Sequence, residues 1–447
     1  MRLTLVRPSI GRIDGKIVKR RRVIESLSLA TLAGLTPPDV EIRFFDERLE
    51  DVDFDAAADL VGISAETLNA RRSYEIAAEF RKRGFQVVLG GLHPSLMPEE
   101  ARPHADAVVI GQAEGVWGRV IEDAKRRRLR DIYRSDGPSV FGETIPNRTI
   151  HRGKRYLPVR LIEFGRGCVH RCDFCSVHNF FGQRYTTRPI ASLIAEIEQL
   201  EKQNLLFVDD NFFSDPAKVA EVCRNLIPLK INWYSQASIR VADDEGMLDL
   251  LAASGCTGLL IGFESLLPEN LRQMGKGFNG GVERYQEAIR KIKARHIRIY
   301  GSFVIGYDHE TRESIRDTVD FAIAEKLTLA TFYPLSPFPG TRLYARLKRQ
   351  KRLRSERWWL DPSVSYGDIF FHPQNMPAEE LEDLCIQARK RFYNPTSMLY
   401  RALDFEAHLH NSASLWFYLL TNVLINRDQD LKKRTRFGFE VPRPGIL

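Results

Sequence analysis

The chain has 447 residues, 43% of them hydrophobic and 28% charged, which is enough for two or three globular domains with real cores. Its 66 basic and 58 acidic residues leave a mild net charge of +8. The concentrated runs, Lys19–Arg22 and Arg126–Arg128, read as solvated helix ends or loops, so no nucleic-acid partner is expected. Six cysteines, three of them within eight residues, exclude a disulfide framework and suit a metal-binding protein of the reducing cytoplasm. No signal peptide is read, and no transmembrane segment, since a span needs roughly 18–20 apolar residues; the run 414–425 suits a buried or interfacial helix.

The first part of the chain alternates short apolar runs with helical stretches. Strands are expected at Leu3–Val6, Glu41–Phe45, Leu60–Ser64, Gln86–Gly90 and Ala107–Ile110, with helices around Ser26–Leu35, Ala70–Arg83 and Trp117–Arg127. This pattern predicts an α/β fold, with a Rossmann-like, doubly wound parallel sheet over residues 1–128. Ligands of such sheets sit beyond the carboxyl ends of the strands. There the sequence places Ser64 to Thr67, Gly90-Gly91-Leu92-His93 and Gly111 to Glu114. Residues 129–157 are rich in Gly, Pro, Asn and charge and read as a linker or small hairpin.

Alternation resumes over residues 158–345. Strands at Val159–Phe164, Leu205–Val208, Ile231–Ser235, Gly258–Gly262, Arg298–Ile305 and Thr328–Tyr333 predict a partial (β/α)6 TIM-like barrel. Its active site is expected at the C-terminal ends of the strands. Residues 346–447 read as a mainly helical region. Its aromatic residues, among them Trp358, Trp359, Tyr366 and Trp416, either pack as core or shape a pocket for an apolar substrate. No internal repeat is present.

The run Gly165-Arg-Gly-Cys168-Val-His-Arg-Cys172-Asp-Phe-Cys175 follows the first strand of the barrel. Three thiolates at this spacing can fold around one iron–sulfur cluster at the barrel mouth. A closed four-iron site takes four cysteines, and the next one here, Cys223, lies on a different element. One iron is thereby left for an outside ligand. The alternative is a zinc site completed by His170 or His178, although structural zinc prefers paired Cys-x-x-Cys units.

The pattern formed by Cys168, Cys172, Phe174 and Cys175 resembles the signature of the radical S-adenosylmethionine (SAM) superfamily. The resemblance implies a 4Fe-4S cluster on the three cysteines, reductive cleavage of SAM to a 5′-deoxyadenosyl radical, and abstraction of a substrate hydrogen. It also implies SAM contacts, with Phe174 beside the cluster. Asp209, Asp210 and Asn211 stand where many members carry Gly-Gly-Glu for the methionyl amino group. Gln236, Ser238 and Arg240 match positions near the ribose and carboxylate, and Glu264 ends the fourth-strand motif. Each has an alternative: Asp209 or Asp210 as a helix cap, Glu264 in a structural salt bridge.

The first domain resembles the cobalamin-binding domain of one branch of that superfamily, through Val61–Thr67, Val87–Pro98 and Val108–Gly115. The resemblance implies a cobalamin site with candidate contacts Ser64, Thr67, Gly90, Gly91, His93, Gly111 and Glu114; most members carry Glu at the position of Gln112. The loop after the first strand, Pro8 to Gly15, lacks the Asp-x-His-x-x-Gly motif that ligates cobalt from below. His93 reads as a structural loop residue, and the whole domain could keep its shape without the cofactor.

The function implied is a cobalamin-dependent radical SAM methyltransferase acting on an unactivated carbon of a small, apolar metabolite such as a lipid, terpenoid or tetrapyrrole. An external donor such as flavodoxin or ferredoxin would supply electrons. A cyclase, oxidase or rearrangement enzyme with the same cofactors is the second reading, and a non-catalytic iron–sulfur redox or sensor protein the third. A methylthiotransferase is argued against, because no cysteine precedes Cys168 and the chain ends in helices. Cys223, Cys256 and Cys385 are expected to be buried bystanders.

Overall fold

A computed structural model describes residues 1–13, 16–17, 23–135, 141–182, 184–200, 204–433 and 436–437. The basic run Lys19–Arg22 and the end of the proline-rich tail lie outside them.

The first sheet has six parallel strands: β1 Arg2–Arg7, β2 Glu41–Asp46, β3 Leu60–Ser64, β4 Gln86–Gly90, β5 Ala107–Ile110 and β6 Ile132–Arg134, in the order β2-β1-β3-β4-β5-β6. Leu3, Leu5, Leu60, Val61 and Val87 are completely buried, because the sheet is covered on both faces. Helices α1 Leu27–Leu35, α2 Ala70–Lys82, α3 Leu92–Leu96 and α4 Trp117–Lys125 do the covering. The strand order reverses at β1, so a crevice opens beyond the ends of β1 and β3.

Residues 129–157 depart from the linker or hairpin reading. They supply β6, which pairs with β5 by Val108↔Ile132, and a tight helical turn at Arg148–His151. Among its other described residues, the Tyr156 hydroxyl donates to Asp46 at 2.9 Å and Leu157 N–H donates to the Val23 carbonyl. Gly, Pro and Asn mark chain reversals, but they do not show that a segment is unpacked.

The second sheet also has six parallel strands: β7 Val159–Ile162, β8 Asn204–Phe207, β9 Trp233–Ala237, β10 Cys256–Glu264, β11 Arg298–Ile305 and β12 Leu329–Pro334. They lie side by side in sequence order, the pattern of a partial barrel. Between them run α5 Val177–Phe181, α6 Ile190–Glu198, α7 Pro216–Leu226, α8 Glu245–Ala253, α9 Pro268–Met274, α10 Val282–Lys293 and α11 Arg312–Ala324. Asp215, Asp244 and Thr311 cap α7, α8 and α11 through their side-chain oxygens. Along β11, Ile299, Phe303 and Ile305 are buried in the main core, while Tyr300, Ser302 and Val304 alternate onto a half-open face.

The C-terminal region adds α12 Arg342–Arg349, α13 Ala378–Phe392, α14 Pro395–Ala402 and α15 Ser412–Lys433. Trp358, Trp359, Phe370 and Phe392 are core, Tyr366 borders a cavity, and Trp416 is 71% exposed. Among the described residues no helix is long and apolar enough to cross a membrane.

Candidate active site

The cysteines sit on a loop built by the first barrel strand. After β7 the chain makes a short antiparallel pair, Gly165–Arg166 with Thr186–Thr187, which closes the base of the loop. Gly167 has φ +88°, and a Cβ there would collide with the Arg184 carbonyl, so only glycine lets the chain turn toward Cys168. The loop is then tied down at several points. The completely buried Asp209 carboxylate accepts N–H bonds from Phe164 at 3.0 Å and Gly165 at 2.6 Å, and Asp210 accepts from Gly167 at 2.8 Å. Within the motif, Asp173 N–H donates to the Met274 carbonyl, its own carbonyl accepts from Leu343, and its side chain accepts from the Tyr307 hydroxyl at 2.5 Å.

The residues expected to contact SAM differ in their surroundings. Asp209 spends both oxygens on the cysteine loop, which makes it a brace; it caps no helix. Burial drives its carboxyl well above the usual carboxylate range and raises that of Asp210, against the pull of the N–H donors. Asn211 is buried and its Oδ1 has no partner, so it has an acceptor to offer. Gln236 lies on the half-open side of β9. Ser238 accepts the Arg240 N–H as a turn cap, and the Arg240 side chain is exposed near Asp243. Glu264 has φ +67°, a left-handed conformation rare for a non-glycine residue, and it accepts from Lys276 Nζ at 2.6 Å. The salt-bridge alternative for Glu264 is thus present.

The three thiols are half-buried and free of disulfides, while Cys223, Cys256 and Cys385 are buried elsewhere. Burial pushes the Cys172 thiol up to about 12 and the Cys175 thiol upward. Lys276 opposes both: burial pulls its own ammonium down, but Glu264 and Cys172 outweigh that and hold it charged. Among the described residues no group of three or more His, Cys, Asp or Glu is arranged to hold a single metal ion, as a structural zinc site requires. His170 is stacked on Phe278 at 4.3 Å instead. A four-iron cluster asks for something else, namely soft thiolates spread around its faces, and three cysteines on one braced loop beside a lysine supply that donor set.

A broad cleft opens where the two sheets meet. Its walls include Arg7, Ser64, Glu66, Gly90, Gly91, Gly111 and Glu114 from the ends of the first sheet, and Arg166, Phe180, Phe181 and Val208 from the barrel. Of the expected cobalamin contacts, Ser64, Gly90, Gly91, Gly111 and Glu114 are there. Gly91, at φ +105°, passes so close to Ala65 that a side chain would not fit. Thr67 and His93 do not line the cleft. His93 is completely buried, with Nδ1 3.3 Å from Thr67 Oγ1 and Nε2 3.0 Å from Glu100 Oε1. Its structural reading is the one the geometry supports, and among the described residues no histidine lines the cleft. Ser95, unmarked in the sequence, joins two cleft loops by accepting from Gly111 N–H and donating to the Gly91 carbonyl.

Arg166, inside the cysteine run, is one tie between the halves. It donates to Gln112 at 2.9 Å, Glu114 at 2.5 Å and Glu163 at 2.9 Å, and it covers the Phe141 ring. Gln112 takes part in this tie with a neutral acceptor.

Comparison with known proteins agrees with this geometry. Residues 162–322 match the radical SAM superfamily and residues 28–121 match the B12 binding domain. The bacteriochlorophyllide d C-8(2)-methyltransferase of Chlorobaculum tepidum is 32% identical over 354 residues, covering 74% of this chain and 78% of that protein. This chain belongs to the cobalamin-dependent radical SAM enzymes. The cofactors of that family are a 4Fe-4S cluster, SAM and cobalamin. The relatives are not all methyltransferases by name: the anaerobic magnesium-protoporphyrin IX monomethyl ester cyclase of Cereibacter sphaeroides is 24% identical over 384 residues, covering 78% of this chain and 61% of that protein. The fold is that of the radical SAM methyltransferase TsrM from Kitasatospora setae, with a TM-score of 0.61 and 20% identity over 78% of this chain and 76% of that one.

Proposed function

We propose that this radical SAM enzyme is a methyltransferase acting on an unactivated carbon of a small, apolar metabolite. The observation that carries the reading is the position of the cysteine loop between two spaces. The interdomain cleft reaches Phe180, Phe181 and Val208 on one side, and a barrel chamber reaches Phe174 on the other. A carrier of methyl groups and a substrate can therefore approach one radical source from different directions. When bound, the cluster supplies the electron that cleaves SAM and the corrin carries the methyl group.

In this reading Cys168, Cys172 and Cys175 hold the cluster, and Lys276 eases deprotonation of the thiols by its charge. Asn211, through its free Oδ1, accepts from the methionyl amino group, while Gln236, Ser238 and Glu264 border the nucleoside. Ser64, Gly90, Gly91, Gly111 and Glu114 receive the corrin, with no histidine beneath it. A named methyltransferase at 32% identity supports the outcome.

The test is anaerobic reconstitution with iron, sulfide and cobalamin, followed by SAM and a reductant, with mass spectrometry of the products. Methyl transfer requires 5′-deoxyadenosine and S-adenosylhomocysteine together. 5′-Deoxyadenosine alone would overturn this in favour of cyclisation, oxidation or rearrangement, and neither product would indicate a redox or sensor protein.

A further inference from the structure

Beyond the cysteine loop, the ends of β11 and β12 and the C-terminal region enclose a chamber of about 440 Å³. Phe174, Tyr300, Phe332, Tyr333, Phe338 and Phe370 form aromatic walls. None of the three cysteines lines it, so the amino-acid end of SAM, which must reach the open iron, has its place outside. Tyr333 leaves 44% of its surface uncovered in this chamber, while burial pushes its hydroxyl, and that of Tyr300, upward. An aromatic side chain that is crowded and yet uncovered borders a void shaped for something apolar.

Among the described residues one charged group faces this void. Arg389, on α13, lines the chamber, and its Nε is buried with no hydrogen-bond partner. Among the described residues no carboxylate pairs with its guanidinium, whereas Arg391 on the same helix is paired with Asp320. The other polar side chains of the chamber wall, Tyr300, Thr331, Tyr333, Ser336 and Tyr366, are neutral. A guanidinium stays charged at any ordinary pH, and one that is half-buried with its Nε unsatisfied gains from a counter-charge that reaches it. Its planar fork matches a carboxylate.

We infer that the chamber is the substrate site and that its ligand is an apolar acid, a hydrocarbon body whose carboxylate pairs with Arg389. This rests on the proposed function for an apolar substrate and adds the charged anchor to it. The aromatic walls set the position of the hydrocarbon, and the arginine sets which end enters first. Together they would fix which carbon is presented to the radical.

The test uses the reconstituted enzyme and two fluorescent probes with the same body, 1-pyrenebutyric acid and the neutral 1-pyrenebutanol, with affinities read by anisotropy. The acid should bind on the order of tenfold more tightly or better. Arg389→Gln should erase that preference and leave alcohol binding intact, and Arg389→Lys should keep part of it. Val304→Trp, which fills the chamber, should weaken both probes. Equal affinity of acid and alcohol for the unaltered enzyme, or a preference that survives Arg389→Gln, would overturn the assignment. So would unchanged binding to a folded Val304→Trp protein. The readout needs no turnover, so failure of the methyltransferase reading shows separately, as loss of paired SAM products from the unaltered enzyme.

Discussion

Asp209→Ala tests whether the cysteine loop owes its shape to one buried carboxylate. The substitution removes the acceptor of the Phe164 and Gly165 N–H groups at a completely buried position, just before the cluster motif. Each buried donor left without a partner costs about 1–3 kcal/mol, so two cost about 2–6 kcal/mol in all, less whatever a water entering the vacated space returns. A loss of that size falls on the loop carrying Cys168 and is large enough to populate open forms. The expected result is a clear drop in iron and sulfide retained per chain after anaerobic reconstitution and gel filtration, with a lower urea midpoint. Asp209→Asn, which keeps one acceptor oxygen, should fall between. Full cluster loading and unchanged stability in Asp209→Ala would refute the bracing role.

Arg166→Ala should leave Glu114 and Glu163 buried without their guanidinium, at about 3–5 kcal/mol, and should lower the cobalamin retained after gel filtration. Burial raises the Glu310 carboxyl to about 7, despite bonds from Ser314 and Gly306. Because the folded state holds this proton more tightly, the associated stability is complete below the unfolded value near 4.5 and is lost as pH rises through about 7. Its size is about 3 kcal/mol, and Glu310→Gln should flatten that slope in urea midpoints between pH 5 and 8. His93→Gln should leave the visible spectrum of bound cobalamin unchanged while lowering stability; a spectral change would instead make His93 a cobalt ligand.

The strands were legible because each is a short apolar run between polar punctuation, and Arg298–Ile305 emerges with the same ends in the structure. The sixth strand of the first sheet, Ile132–Arg134, was not, since three residues inside a charged segment carry no period. At the site, the cysteine spacing carried its chemistry openly. The direction of a side chain did not show: Thr67 and His93 share loops with cleft residues yet turn inward to each other, His93 also reaching Glu100, and Asp209 turns back onto Phe164 and Gly165. Lys276 and Arg389 were invisible because their partners, or lack of them, exist only once distant elements pack.

The central claim is that Cys168, Cys172 and Cys175 hold a cluster that cleaves SAM. It is tested most directly by Cys172→Ala, reconstituted anaerobically beside the unaltered enzyme and supplied with SAM and reductant. The account predicts no bound cluster and no 5′-deoxyadenosine from the variant, against release of that product by the unaltered chain. Continued release from Cys172→Ala would contradict it.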